Sequence, residues 1–102
     1  MSETRLSLKS ISELRAHIHK ALCLKENLLE DQHVMREEVL FTNGDPCAMQ
    51  FVIRGPRSIK LGAIWAAAQG TIYFYDTKGE RYDKALLDPA YQIEIPVAEA
   101  VA

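Results

Sequence analysis

Helical and extended patterning occupy separate parts of this chain, and that separation most constrains its fold. Apolar residues at helical spacing lie within residues 10–29, whereas residues 43–87 consist of short alternating segments separated by turn residues. This layout is typical of an α+β domain. We therefore predict an N-terminal helix packed on a five- to six-stranded antiparallel β-meander, in two layers.

Length and composition indicate one globular domain over residues 1–102. The chain has 48% apolar and 25% charged residues, and its formal charge is −2. A chain of this length can bury a core without disulfides or metals. The small negative charge argues against a nucleic-acid binder, because such proteins usually carry an excess of Lys and Arg. We expect residues 1–9 and 97–102 to be frayed.

The start of the helix has a specific signature. Ser10-Ile11-Ser12-Glu13 fits a capping box, with Ser10 as N-cap and Glu13 reaching back from the third helical position. One helical face then carries Ile11, Leu14, Ile18, Leu22 and Leu29. We predict that the helix ends between Asn27 and Asp31.

Five strands are predicted after the helix, each bounded by turn residues. They cover Val34–Thr42, Cys47–Arg54, Ser58–Ala67, Thr71–Asp76 and Glu80–Leu86. The segment Asp76-Thr77-Lys78-Gly79 is typical of a hairpin loop closed by a left-handed glycine. Tyr91–Ile95 alternates between polar and apolar residues and predicts a sixth strand, which would end at Pro96.

A single register directs one set of side chains toward the helix. Across successive hairpins we pair Phe41 with Cys47, Arg54 with Ser58, Ala68 with Thr71, and Asp76 with Glu80. The resulting inner face consists of Val39, Phe41, Met49, Phe51, Ile53, Ile59, Leu61, Ala63, Trp65, Ile72, Phe74 and Tyr82. In this register Ile64 pairs with Tyr75, Ala66 with Tyr73, Trp65 with Phe74, and Phe74 with Tyr82.

The opposite face of the sheet, called the outer face below, is the candidate working surface. Its centre holds Val52, Ile64, Ala66, Tyr73 and Tyr75, and its rim holds Arg54, Lys60, Arg81 and Asp83. A solvated face is usually polar throughout, whereas an apolar centre with a charged rim is typical of an interface. We therefore expect a homodimer formed through this face. The alternative is that the C-terminal segment covers it.

No constellation in the sequence predicts a catalytic, cofactor or metal site. His19 and Cys23 stand four residues apart on the helix, but a metal needs further ligands, and nothing places His33 or Cys47 nearby. Cys47 lacks the local signature of a catalytic thiol. We interpret both cysteines as reduced and as small apolar side chains.

Two functions remain open beside a self-associating interaction module. A small ligand of unknown identity would occupy a pocket between helix and sheet lined by Trp65, Phe74 and Tyr82, with or without enzymatic activity. Tyr73 and Tyr75 beside clustered basic residues are compatible with single-stranded nucleic acid, although we do not expect nucleic acid as the partner.

No membrane association is expected, because no apolar run approaches the ~20 residues of a membrane span. Residues 1–9 lack the continuous apolar stretch of a signal peptide, so the expected location is cytoplasmic.

The middle third of the chain contains the segments RGPRSIKLGAIW from Arg54, TIYFYD from Thr71 and GER from Gly79. In these segments it resembles a family of small uncharacterised bacterial proteins. Short chains of this type also occur among mobile gene cassettes. The resemblance implies no activity and transfers no functional residue.

Overall fold

One α-helix packs against a six-stranded mixed sheet. The computed structural model describes residues 3–29, 32–55, 59–88, 93 and 95. In chain order the elements are β1 (Glu3–Leu6), α1 (Ile11–Lys25), β2 (Met35–Thr42), β3 (Asp45–Arg54), β4 (Lys60–Ala66), β5 (Thr71–Tyr75) and β6 (Arg81–Leu87). The strands lie in the order β1-β6-β5-β4-β3-β2. The α+β class is confirmed, but the prediction of a purely antiparallel meander is wrong, because β1 runs parallel to β6.

The predicted cap starts α1. The Ser10 Oγ accepts a hydrogen bond from the Glu13 N–H at 3.2 Å. The Glu13 carboxylate reaches back as the capping box requires, although it accepts from the Lys9 N–H, at 3.1 Å. The buried stripe of the helix is Leu14, Ile18, Leu22 and Cys23, which lies over the sheet.

A Schellman motif ends α1 slightly before the predicted range. The helix stops at Lys25 because Asn27 adopts a left-handed conformation with φ 57°. The Leu28 N–H then donates to the Cys23 carbonyl at 2.8 Å, and the Asn27 N–H donates to the Leu24 carbonyl at 3.4 Å. These two bonds satisfy carbonyls that a helix end otherwise leaves without partners.

Residues 3–6 form an edge strand, so the prediction that residues 1–9 are frayed is wrong for this part. Arg5 pairs with Leu86 and Leu6 with Leu87 in parallel register, and the Asp88 N–H donates to the Leu6 carbonyl at 2.8 Å. Leu6 packs against the core. The pairings make β1 and β2 run in the same direction at opposite edges of the sheet, and α1 supplies the crossover that such strands require.

Two predicted hairpin registers are displaced by two residues. Ile53 pairs with Leu61 where Ile59 was predicted, and Trp65 pairs with Ile72 where Phe74 was predicted. Both connections are longer than predicted; the second is a 3-10 turn over Ala67–Gln69 that ends at left-handed Gly70. Because two residues is the period of a strand, the side chains keep their predicted faces.

The first hairpin is tighter than predicted. Asn43 and Gly44 both have positive φ, 53° and 84°, and Thr42 pairs with Asp45, as in a two-residue type I′ turn. Strand β3 therefore starts at Asp45, two residues before the predicted start. A register irregularity follows Leu40, and Phe41, predicted to be buried, is 56% exposed.

A bulge in the last hairpin changes the facing of β6. Tyr75 pairs with Arg81, but Phe74 pairs with Asp83 where Tyr82 was predicted. The ladder continues with Lys84 opposite Tyr73, so Lys84 takes the outer-face position that was predicted for Asp83. Bulges add one residue to one strand, and the hydrophobic pattern alone did not reveal this one.

The core lies between α1 and the inner face of the sheet. Its largest fully buried side chains include Trp65, Phe51, Leu14, Ile18 and Leu22. Ile93 and Ile95 pack against the same core, which places these two residues on the helix side of the sheet, and neither belongs to a strand. The other residues of the predicted sixth strand, 91, 92 and 94, lie outside the described residues.

The described part of the chain contains no helix with the length and apolar character that crossing a bilayer requires.

Candidate functional site

The five residues predicted for the centre of the outer face lie together on three neighbouring strands. Ile64 pairs with Tyr73, and Val52 and Tyr75 flank Gly62, so the predicted pairs Ile64–Tyr75 and Ala66–Tyr73 are wrong by two residues. Val52, Ile64, Ala66, Tyr73 and Tyr75 are all half-buried. The centre is therefore an apolar surface whose side chains are only partly exposed to solvent.

Positive charge surrounds this centre. The charged residues that pair with or continue the rows of central residues are six cations, Arg5, Arg36, Arg54, Lys60, Arg81 and Lys84, and two carboxylates, Glu3 and Glu38. Six of these eight are cations, although the whole chain has a formal charge of −2. The outer face therefore has a positive local potential, opposite in sign to the average of the protein.

A groove crosses the outer face above Gly62. One part, of about 420 Å³, lies between Val52, Ile64, Tyr75 and the β5–β6 hairpin, and Lys60 and Lys78 reach it. A second part, of about 690 Å³, shares Gln50, Val52 and Lys60 with the first and extends to Arg36 on β2. Gly62 adds no side chain at the floor, so the groove reaches the backbone of the sheet between Val52 and Tyr75.

Arg81 is held against both tyrosines. Its guanidinium carbon lies 4.2 Å from the ring centroid of Tyr73 and 6.0 Å from that of Tyr75. The Tyr73 hydroxyl donates to the Gln69 Oε1 at 2.8 Å. Stacking on an aromatic ring leaves the guanidinium able to use its edge N–H groups, so Arg81 presents an oriented cation and covers the ring of Tyr73.

The hairpin at the end of the groove is made rigid by Asp76. One carboxylate oxygen accepts from the Lys78 N–H at 2.9 Å and from the Glu80 N–H at 3.0 Å. These backbone bonds, that of Glu80 foremost, hold the pKa of Asp76 below its usual value. Gly79 has φ 80°, as predicted for the residue that closes this loop.

The three residues predicted to line a ligand pocket are only partly brought together. Phe74 and Tyr82 contact each other with ring centroids 6.2 Å apart. Burial, with smaller contributions from Asp83 and other nearby carboxylates, raises the pKa of Tyr82 to about 12. Trp65 instead lines a pocket of about 490 Å³ at another part of the sheet, beside Arg5, Gln69 and Leu87.

Trp65 carries a buried polar group that no described residue satisfies. The residue is 1% exposed, and its Nε1–H has no hydrogen-bond acceptor in the part of the chain that the structure describes. Buried donors in native proteins are usually paired, so this one is an exception next to a pocket. Sequence reasoning missed Arg5 and Gln69 here because they line this pocket from β1 and a 3-10 turn, neither of which was predicted.

The cysteines and histidines are engaged in ordinary structural contacts. Cys23 and Cys47 are not joined by a disulfide; Cys23 is buried, and the Cys47 Sγ lies 3.2 Å from the Thr42 Oγ1. The His19 Nε2–H donates to the carbonyl of His33 at 2.7 Å, which ties the loop after α1 to the helix. Among the residues that the structure describes, no three or more His, Cys, Asp or Glu side chains are grouped to hold a metal ion.

Comparison of the chain with known protein families, with curated proteins and with solved structures finds no match.

Proposed function

We propose that this protein is an interaction module that binds a short acidic segment of a protein partner across its outer face. The observation that carries the proposal is the excess of six cations over two carboxylates around a half-buried apolar centre. Complementary potentials favour encounter between a cationic surface and an acidic one.

The same charge count argues against a second copy as the occupant of this face. A two-fold contact would bring one cationic face against another, with Glu3 and Glu38 as the carboxylates of these rows on each side. Like charges opposed at an interface cost several kcal/mol in total. We therefore assign the outer face to a partner of opposite charge rather than to the face-to-face dimer that the sequence predicted.

The dimensions of the groove suit a short extended segment. The groove spans four strands from Tyr75 on β5 to Arg36 on β2, and three strand spacings of ~4.8 Å make ~14 Å. An extended peptide advances ~3.3 Å per residue, so about four or five residues fit across the face. An apolar side chain of the ligand would lie over Gly62, with its carboxylates near Lys60 and Arg54.

The tyrosines favour a peptide over single-stranded nucleic acid. Stacking platforms for bases present open aromatic faces, whereas Arg81 covers Tyr73 and both rings are half-buried. A peptide needs the cations and the groove but no free ring.

Fluorescence anisotropy with two labelled ligands tests this proposal. The first ligand is a ten-residue peptide of Glu with one central Leu, and the second is a ten-nucleotide oligothymidine; a Gln-for-Glu peptide serves as the neutral control. We expect the acidic peptide to bind, and its affinity to fall as salt rises, because the contacts lie near the surface.

Lys60→Glu should weaken binding roughly three- to tenfold, since it reverses one charge in the groove. Lys20→Glu makes the same change on an exposed helix position and should have no effect. Tighter binding of the oligonucleotide, or equal binding of the Gln peptide, would contradict the proposal.

A second candidate function rests on the Trp65 pocket. We propose that a small carboxylic acid binds in this pocket, where Arg5 supplies a cation. A ligand that binds the folded state raises the melting temperature. A thermal-shift screen of small carboxylic acids should give hits that disappear in Arg5→Gln, and a screen with no saturable shift would remove this candidate.

A further inference from the structure

Strand β2 presents a long open edge. It contains eight residues, Met35–Thr42, and among the described strands β3 is its one neighbour. Exposed edges of this length offer unpaired N–H and C=O groups to another strand. Two apolar side chains at the ends of this segment are also exposed, Val34 at 80% and Phe41 at 56%.

The ladder shows which backbone groups point outward. The Gly55 N–H donates to the Ile59 carbonyl at 2.8 Å, so the odd-numbered residues of β3 direct their hydrogen bonds to β4 and the even-numbered ones to β2. Val52 and Gln50 thus bond to Arg36 and Glu38. The alternate residues Met35, Glu37 and Val39 therefore direct their N–H and C=O groups away from the sheet.

The sequence of this edge is complementary to itself. In an antiparallel pairing about a two-fold axis at Glu37, Arg36 of each copy lies opposite Glu38 of the other. Met35 lies opposite Val39, and Val34 opposite Leu40. Arg36 and the opposite Glu38 would occupy a position of the ladder at which the two backbones exchange no hydrogen bonds. At such positions the opposite side chains approach most closely. Each two-fold dimer would contain this pair twice.

Neighbouring registers lack this complementarity. Sliding the strands by two residues in one direction puts Arg36 opposite Arg36, and sliding them in the other direction puts Glu38 opposite Glu38. A slide of one residue is excluded because it would pair outer-face with inner-face side chains. Charge therefore selects one register.

We propose that β2 pairs with β2 of a second copy of this chain in that register, which joins the two sheets into one of twelve strands. Met35, Glu37 and Val39 would supply six N–H···O bonds across the axis, and Val34 would be covered by the partner strand. The inference does not depend on the acidic ligand proposed for the outer face, because the edge can pair whether or not a peptide is bound there.

Arg15 removes the one electrostatic obstacle to this contact. Glu37 would approach Glu37 of the second copy, but its carboxylate already accepts two hydrogen bonds from the Arg15 guanidinium, at 2.7 and 2.6 Å. The axis would then be flanked by two neutralised pairs rather than by two bare carboxylates.

A charge exchange tests the register. Sedimentation equilibrium of the parent at roughly 100 µM should show a dimer, since a specific weak dimer persists at that concentration. Arg36→Glu and Glu38→Arg should each raise the dimer dissociation constant roughly tenfold to a hundredfold, because each turns two attractions into two repulsions. The double variant Arg36→Glu/Glu38→Arg restores both pairs and should restore dimerisation. Both positions are exposed, so circular dichroism should show all three variants folded.

A crosslinking experiment distinguishes the edge contact from a face-to-face contact. In a Cys47→Ser background, Glu37→Cys places thiols across the axis within disulfide range and should give a covalent dimer on mild oxidation. Lys60→Cys lies on the outer face and should not. A parent that is monomeric at 100 µM, a double variant that stays monomeric, or crosslinking through Lys60→Cys rather than Glu37→Cys would each overturn the proposal.

Discussion

Trp65 offers the sharpest test of how the helix and sheet pack. It is the single tryptophan of the chain, it is 1% exposed, and it belongs to the core between α1 and the inner face. Replacing a buried Trp by Ala typically costs about 3–5 kcal/mol, because transfer free energy is lost and a cavity remains. Here the buried Nε1–H has no acceptor among the described residues, and removing an unsatisfied donor recovers about 1 kcal/mol, the lower end of the usual desolvation penalty. We therefore expect Trp65→Ala to lower the free energy of unfolding by about 2–4 kcal/mol.

The matched variant is Trp65→Phe. It keeps an aromatic ring in the core and removes the unpaired N–H. The cost of the lost contacts and the gain from removing the unpaired donor should nearly cancel, so the free energy of unfolding should change by less than about 1.5 kcal/mol. For a domain of about 100 residues, 1 kcal/mol shifts the melting temperature by roughly 4–8 °C. The two variants should therefore separate clearly in a thermal melt.

Guanidinium denaturation followed by circular dichroism is the appropriate assay, because both variants lack the native fluorophore. A loss below about 1 kcal/mol for Trp65→Ala would mean that the residue is exposed and that the inner face is misassigned. A Trp65→Phe variant as unstable as Trp65→Ala would instead show that the indole N–H has a partner in solution.

Three further predictions concern pH and backbone conformation. Burial, assisted by Lys20, lowers the pKa of His17; since the folded state then binds fewer protons, stability should fall as pH drops through about 6.5, and His17→Gln should flatten this dependence in urea melts. The pKa of Tyr82 is raised to about 12, so its stabilising contribution is complete below the unfolded value of about 10 and should be lost between about pH 10 and 12. Tyr82→Phe should show a smaller alkaline loss than the parent, and identical curves would refute the assignment. Asn27 holds a left-handed conformation at the end of α1, so Asn27→Ala should cost about 1 kcal/mol whereas Asn27→Gly should be neutral within error; equal effects would contradict the role of the Schellman motif.

Much of the fold follows from local sequence, and the reason is that the relevant interactions are short in range. The Ser10 cap depends on residues at most three positions away, and the β5–β6 loop depends on Asp76 and Gly79. The facing of most strands was also predictable: two registers were misplaced by two residues without turning any side chain to the wrong face, because loop lengths changed by an even number.

Only the tertiary structure decided the features that depend on distant parts of the chain. Residues 3–6 carry too short a pattern to predict β1, which exists because β6 offers an edge and α1 spans the sheet. The bulge beside Phe74 moved Lys84 onto the outer face, and the separation of charge between that face and the rest of the protein came from the assembled strands. The sequence by itself determined which residues alternate together, since that depends on a period of two along one strand. Which charges finally surround Gly62, and which residues adjoin Trp65, depended on how six strands register against one another, and no local pattern contains that information.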